Sequence, residues 1–101
     1  MEYETWNILL WINNDRDLLA YWHDRAKSIW TNPTYENEYL SRERRIIVQL
    51  AKELDAYFDD WAETWMPDQC SCFADIFNNA LCKINWQEVA ESLLAVLKEE
   101  Q

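Results

Sequence analysis

A chain of 101 residues, half of them hydrophobic and fifteen aromatic, seven of these Trp, is long enough for one folded domain and too apolar for disorder. It contains no glycine and two prolines; without glycine for positive-φ turns, the tight hairpins of a sandwich or barrel are hard to close. With 19 acidic against 9 basic residues and a net charge of −10, the surface repels nucleic acid and anionic membrane and attracts a basic partner, or simply keeps a Trp-rich protein soluble.

The predicted fold class is therefore all-α, a compact single-domain bundle of about five helices spanning residues 1–101. No apolar run approaches the roughly 20 residues needed to cross a bilayer. Three cysteines make an odd count with no signal-peptide pattern before them, so free thiols in a reducing cytoplasm are expected.

The first element is the stretch Tyr3-Glu4-Thr5-Trp6-Asn7-Ile8-Leu9-Leu10-Trp11-Ile12-Asn13-Asn14-Asp15. Thr5 is expected to cap a short helix ending at Asn13. Trp6, Leu9, Leu10 and Asn13 share one face, and Ile8, Trp11 and Ile12 widen the apolar surface round most of the cylinder. A short buried strand competes, because periodicity does not separate the two at this length. Helix is preferred, since Asn-Asn-Asp reads as a helix end. Trp6, Leu9 and Leu10 are then the expected central packing element.

Asn14 or Asp15 restarts the chain into a second helix, from about Arg16 to Trp30 or Thr31, with Leu18, Leu19, Trp22, Ala26, Ile29 and Trp30 as its stripe. Pro33 ends it. Residues 32–40 form a connection that Tyr35, Tyr39 and Leu40 are expected to pack down. Ser41 caps the longest helix, Arg42 to about Thr64, whose stripe is Ile47, Leu50, Ala51, Leu54, Tyr57, Phe58, Trp61 and Trp65. Its charges run Arg42, Arg44, Arg45 first and Glu53, Asp55, Asp59, Asp60, Glu63 last, the reverse of what the helix dipole favours. A fourth helix is expected from Ser71, with Phe73, Ile76, Phe77, Ala80, Leu81 and Ile84 on one face. Asn85 and Glu88 form a capping-box pattern that opens a fifth, Trp86 to about Glu99, with Trp86, Val89, Ala90, Leu93, Leu94 and Leu97 inward.

Groups that carry chemistry are sparse. Cys70, Cys72, Cys82 and His23 contain the atoms of a zinc site, but at a spacing unlike ribbons or fingers; small apolar packing residues are the competing and preferred reading. His23 has no nucleophile pattern to serve, and Ser28, Ser41, Ser71 and Ser92 fall in helices or caps. Without glycine there is no phosphate-cradling loop. No catalytic residue, cofactor or metal is expected.

The acidic run is the functional candidate: Glu53, Asp55, Asp59, Asp60, Glu63 and Asp68, with Trp65 beside them. Carboxylates three or four apart on a helix have Cβ atoms about 5–6 Å apart, a scale comparable with phosphates along a strand. Such a ladder suits a basic channel built for nucleic acid; a solvated helix face is the plain alternative. Trp11, Tyr21 and Tyr35, outside the stripes, and Trp65, at the last position of the longest helix's stripe, are candidate contact aromatics, or else extra core.

The opening Tyr3-Glu4-Thr5-Trp6-Asn7…Leu10-Trp11-Ile12-Asn13-Asn14-Asp15, with Tyr21-Trp22 after it, resembles the head of a family of small accessory proteins carried by phages, plasmids and prophages. Ser41-Arg42-Glu43-Arg44, Leu50-Ala51-Lys52-Glu53-Leu54, Phe73-Ala74-Asp75-Ile76, Asn79-Ala80-Leu81 and Ile84-Asn85-Trp86-Gln87-Glu88-Val89-Ala90-Glu91 extend the likeness over most of the chain. Cys70, Cys72 and Cys82 stand where members carry small or polar residues, which argues against a shared metal site. The resemblance implies a mobile-element protein, and small acidic proteins of such elements often inhibit host defence. The expected function is a non-enzymatic inhibitor that binds a host nucleic-acid-handling defence complex, with a CRISPR effector as the leading target, without touching nucleic acid or membrane itself. The alternatives are a structural or regulatory homo-oligomer, a homodimer included, and a small Cys/His metal-binding regulator.

Overall fold

The computed structural model describes residues 2–65 and 78–100. The protein is all-α: α1 (Tyr3–Asn14), α2 (Arg16–Thr31), α3 (Arg42–Trp65) and α4 (Trp86–Glu100), with residues 78–82 also helical and no strand among the described residues. Ser71, Phe73, Ile76 and Phe77, the expected start of the helix before α4, lie outside the described residues.

A chain without glycine must turn its corners in ordinary backbone. Asp15 is both the last cap of α1 and the first of α2, in extended geometry at φ −104° and ψ 108°. Its N–H reaches the carbonyls of Trp11 and Ile12, and its carboxylate accepts the Leu18 N–H at 3.0 Å, which satisfies groups left over at both helix ends. None of the described residues has a positive φ.

Two expectations about α1 are corrected. Thr5 does not cap it, because the helix starts three residues earlier, at Tyr3, with Glu2 as an N-cap that makes no side-chain bond. Thr5 is instead fully buried, and its Oγ1 accepts the backbone N–H of Asn85 at 2.8 Å. The inward face is Thr5, Ile8, Leu9 and Ile12, whereas Trp6 and Leu10 are exposed, Trp6 to 51%. A helix apolar round most of its circumference has no rotation of its own, and the neighbours choose one. Leu9 belongs to both candidate stripes; Trp6 and Leu10 belong only to the one left outside.

The other stripes lie largely where the spacing places them, except that Ile46, outside the expected α3 stripe, is fully buried and Tyr57, inside it, is exposed. Trp22, Ala26 and Ile29 of α2, Ile46, Leu50, Leu54 and Phe58 of α3, and Val89, Ala90, Leu93 and Leu94 of α4 form one core with Ile8, Leu9 and Ile12, and Leu81, Ile84 and Trp86 pack against it. Helices α3 and α4 run antiparallel: Phe58 stacks on Trp86 at 5.4 Å at one end, and Glu43 pairs with Lys98 at the other. Helix α2 also runs antiparallel to α3, with Tyr21 beside Tyr57 and Arg25 on Glu53.

Local chemistry closes the joints. Ser41 Oγ accepts the Arg44 N–H at 3.2 Å. Asn85 Oδ1 accepts the Glu88 N–H at 3.2 Å, and Asn85 Nδ2 donates to Glu88 Oε1 at 3.1 Å; Glu88 reaches the Asn85 side chain, because the Asn85 backbone N–H goes to Thr5. Gln49 holds the 32–41 connection, its Oε1 accepting the Thr34 and Tyr35 N–H groups at 2.9 and 3.1 Å. Lys52 lies 4.5 Å over the Tyr35 ring. Tyr39, expected to pack this connection, is exposed, since Tyr35 and half-buried Leu40 take the inner positions.

The inverted charge order of α3 has a partial explanation at its start. Arg44 donates to Glu91 at 3.2 Å and to Gln87 at 2.8 Å. Arg42 donates to the Trp30 carbonyl and lies 5.1 Å over its ring. Each exposed contact contributes about 0–1 kcal/mol, the same order as the dipole penalty it offsets.

Candidate protein-interaction site

Toward the acidic end of α3 the apolar side stays inward, with Phe58 and Ala62 buried. Asp55, Asp59 and Asp60 are exposed. Glu63 and Trp65 fall within α3 with side chains outside the described set, and Asp68, Cys70 and Cys72 lie outside the described residues. Every charged side chain between Glu53 and Cys82 is acidic, so this stretch of the sequence carries charge of one sign.

Glu53 stands apart from the other candidates. The Arg25 guanidinium forks onto it, Nε to Oε1 at 2.9 Å and Nη2 to Oε2 at 3.0 Å, and both partners are half-buried. The side chain is therefore already engaged within the fold, and the exposed acids begin at Asp55, with Asp55 and Asp60 on different flanks of the helix. The hydrogen bonds to Glu53 hold Arg25 above the ordinary arginine range, with partial desolvation opposing and the Glu53 and Tyr21 charges assisting. Arg25 stays protonated throughout the physiological range.

The candidate aromatics are joined rather than scattered. Trp61 meets Trp11 edge-on at 5.5 Å, Trp11 meets Phe58 at 5.9 Å, and Phe58 meets Tyr57 at 5.0 Å. Tyr57 then contacts Trp22 at 5.3 Å and Tyr21 at 5.8 Å. Phe58 and Trp22 are buried links, whereas Tyr21 is 48% exposed, Trp11 41% and Tyr57 36%. Tyr57 was expected in the core stripe; it occupies the stripe's edge, where its ring leans on the α2 aromatics and its outer side meets water. The spacing of Tyr57 relative to Leu54 and Phe58 was legible, but its partner Tyr21 was not. Trp11 is exposed as expected, and Tyr35 is half-buried under Lys52.

A second exposed apolar line runs along α1 through Tyr3, Trp6 and Leu10. His23 lines a small pocket of about 260 Å³ between α2 and α4 with Ala20, Asp24, Lys27, Val96 and Leu97, and its Nε2 is buried with no hydrogen-bond partner among the described residues. Cys82 is an exposed free thiol. Among the described residues no three His, Cys, Asp or Glu side chains gather as a metal ion requires, and none of their helices is long and apolar enough to cross a membrane.

Comparison of the chain with protein-family models, curated proteins and solved structures gives no match.

Proposed function

We propose that this protein is a non-enzymatic inhibitor from a mobile element that binds a host nucleic-acid-handling defence complex and covers its basic nucleic-acid-binding surface, a CRISPR effector being the leading target. One observation carries the reading: exposed carboxylates of Asp55, Asp59 and Asp60 continue an α3 end free of basic residues, beside a partly exposed aromatic chain from Trp61 to Tyr21. Carboxylates attract and orient a basic surface, and large rings contribute contact area at low entropic cost. The likeness of the opening motif to phage- and plasmid-carried proteins supports the same direction.

Affinity capture from host lysate at low and high salt tests it. A nuclease or nucleic-acid-binding complex should be retained at low salt, released as salt screens the contact, and hindered from binding its nucleic acid while the protein is attached. Recovery of no such complex at either salt rejects the reading.

The line Tyr3, Trp6 and Leu10 favours a second reading, self-association through α1. Light scattering separates the two: a monomer at micromolar concentration removes it.

A further inference from the structure

We propose that the outer edge of the α2–α3 seam is the contact surface and that it receives an arginine side chain from a basic segment of the partner; this deepens the inhibitor reading and rests on it. Along this seam the two antiparallel helices meet in successive layers. In one layer Arg25 forks onto Glu53. In the next, Tyr21 lies against Tyr57 at 5.8 Å, with both rings partly open to water. One turn further on are Asp17, four residues before Tyr21, and Asp60, three residues after Tyr57, each on the same helix flank as its tyrosine and both exposed.

The layer at Asp17 and Asp60 thus has two acids where its neighbour has an acid and a base. No ion pair between described residues engages either acid. Arg16 adjoins Asp17 in sequence, but consecutive helical residues do not face one another. The rings beside this layer are partly open to water and, with Arg25 committed to Glu53, the acids Asp17 and Asp60 are the charges on this flank left without an ion pair between described residues, so the occupant is a cation with an apolar face. A second copy of the chain, itself at −10, is a poor fit. Arginine fits better than lysine, because its planar guanidinium both stacks on a ring and forks onto carboxylates. The fold already handles arginine in both ways on this side, with Arg25 on Glu53 and Arg42 over Trp30.

The test uses the intact protein with an oligo-arginine and an oligo-lysine peptide of equal length, measured by calorimetry and tryptophan fluorescence at low salt. Three variants are compared: Tyr21→Leu with Tyr57→Leu, Asp17→Asn with Asp60→Asn, and Asp55→Asn with Asp59→Asn. The last two have equal net charge, and Asp55 belongs to the opposite flank, in a cleft with Ile84, Asn85 and Trp86. The arginine peptide should bind wild type about tenfold more tightly than the lysine peptide, the leucine variant should lose that preference, and the Asp17/Asp60 variant should weaken binding several-fold more than the Asp55/Asp59 variant. Tyr21→Leu alone, at the more exposed ring, gives the same readout if Tyr57→Leu disturbs folding. Equal weakening by the two asparagine pairs, with the arginine preference intact in the leucine variants, overturns this surface and leaves the basic-partner reading standing. Binding of neither peptide by wild type overturns both.

Discussion

Thr5 and Asn85, eighty positions apart in the chain, meet in a 2.8 Å hydrogen bond from the Asn85 backbone N–H to the Thr5 hydroxyl. The bond ties the first helix to the cap of the last. It also satisfies a backbone donor that the Glu88 side chain, bonded to the Asn85 amide, leaves open. Thr5→Val preserves the shape and leaves that N–H without its acceptor, at a cost of about 1–3 kcal/mol. In a domain of this size each kcal/mol lowers Tm by roughly 4–8 °C. Thr5→Ser should recover most of the loss, and a calorimetric series of the three proteins checks the ordering.

The two faces of α1 should respond oppositely to truncation. Ile12, fully buried, should lose about 2–5 kcal/mol on Ile12→Ala. Trp6→Gln, at an exposed position, should change stability by less than about 0.5 kcal/mol. Urea midpoints decide it, and a large loss at Trp6 would put Trp6 on the inward face of α1.

The Arg25–Glu53 fork is partly open to solvent, so its coupling should be modest. A double-mutant cycle with Arg25→Gln and Glu53→Gln should give about 0.5–1 kcal/mol, reduced by added salt. A coupling several times larger would indicate that this seam is drier than its exposure implies.

Neutralising exposed acids near the end of α3 should not harm the fold. Negative charge is unfavourable toward a helix C-terminus, and like charges a turn apart repel. Asp59→Asn with Asp60→Asn should therefore leave Tm unchanged or raise it slightly, while salt-sensitive capture of a basic partner weakens. Loss of stability in this variant would show that these carboxylates serve the fold rather than a contact.

Much of the architecture was legible because it depends on local chemistry. Asp15, Ser41 and the Asn85–Glu88 pair cap helices through bonds to residues three positions away, and such bonds are readable from spacing. The stripes of α2, α3 and α4 were legible because each has a polar side that forbids the wrong rotation. The stripe of α1 was not, since Tyr3, Trp6 and Leu10 are as apolar as Ile8, Leu9 and Ile12. Within the candidate site, the run of acids could be read directly, but not that Glu53 is already held by Arg25, a partner 28 residues away in sequence.

By itself the sequence determined helix against strand, the ends of most helices and the sign of the surface field, because composition, periodicity and side-chain capping act within a few residues. Only the tertiary structure decided which side of α1 faces inward, that Thr5 bonds to Asn85, and that Tyr21 meets Tyr57 across the α2–α3 seam. Those outcomes depend on where separate helices lie against each other, and no spacing along a single helix contains that information.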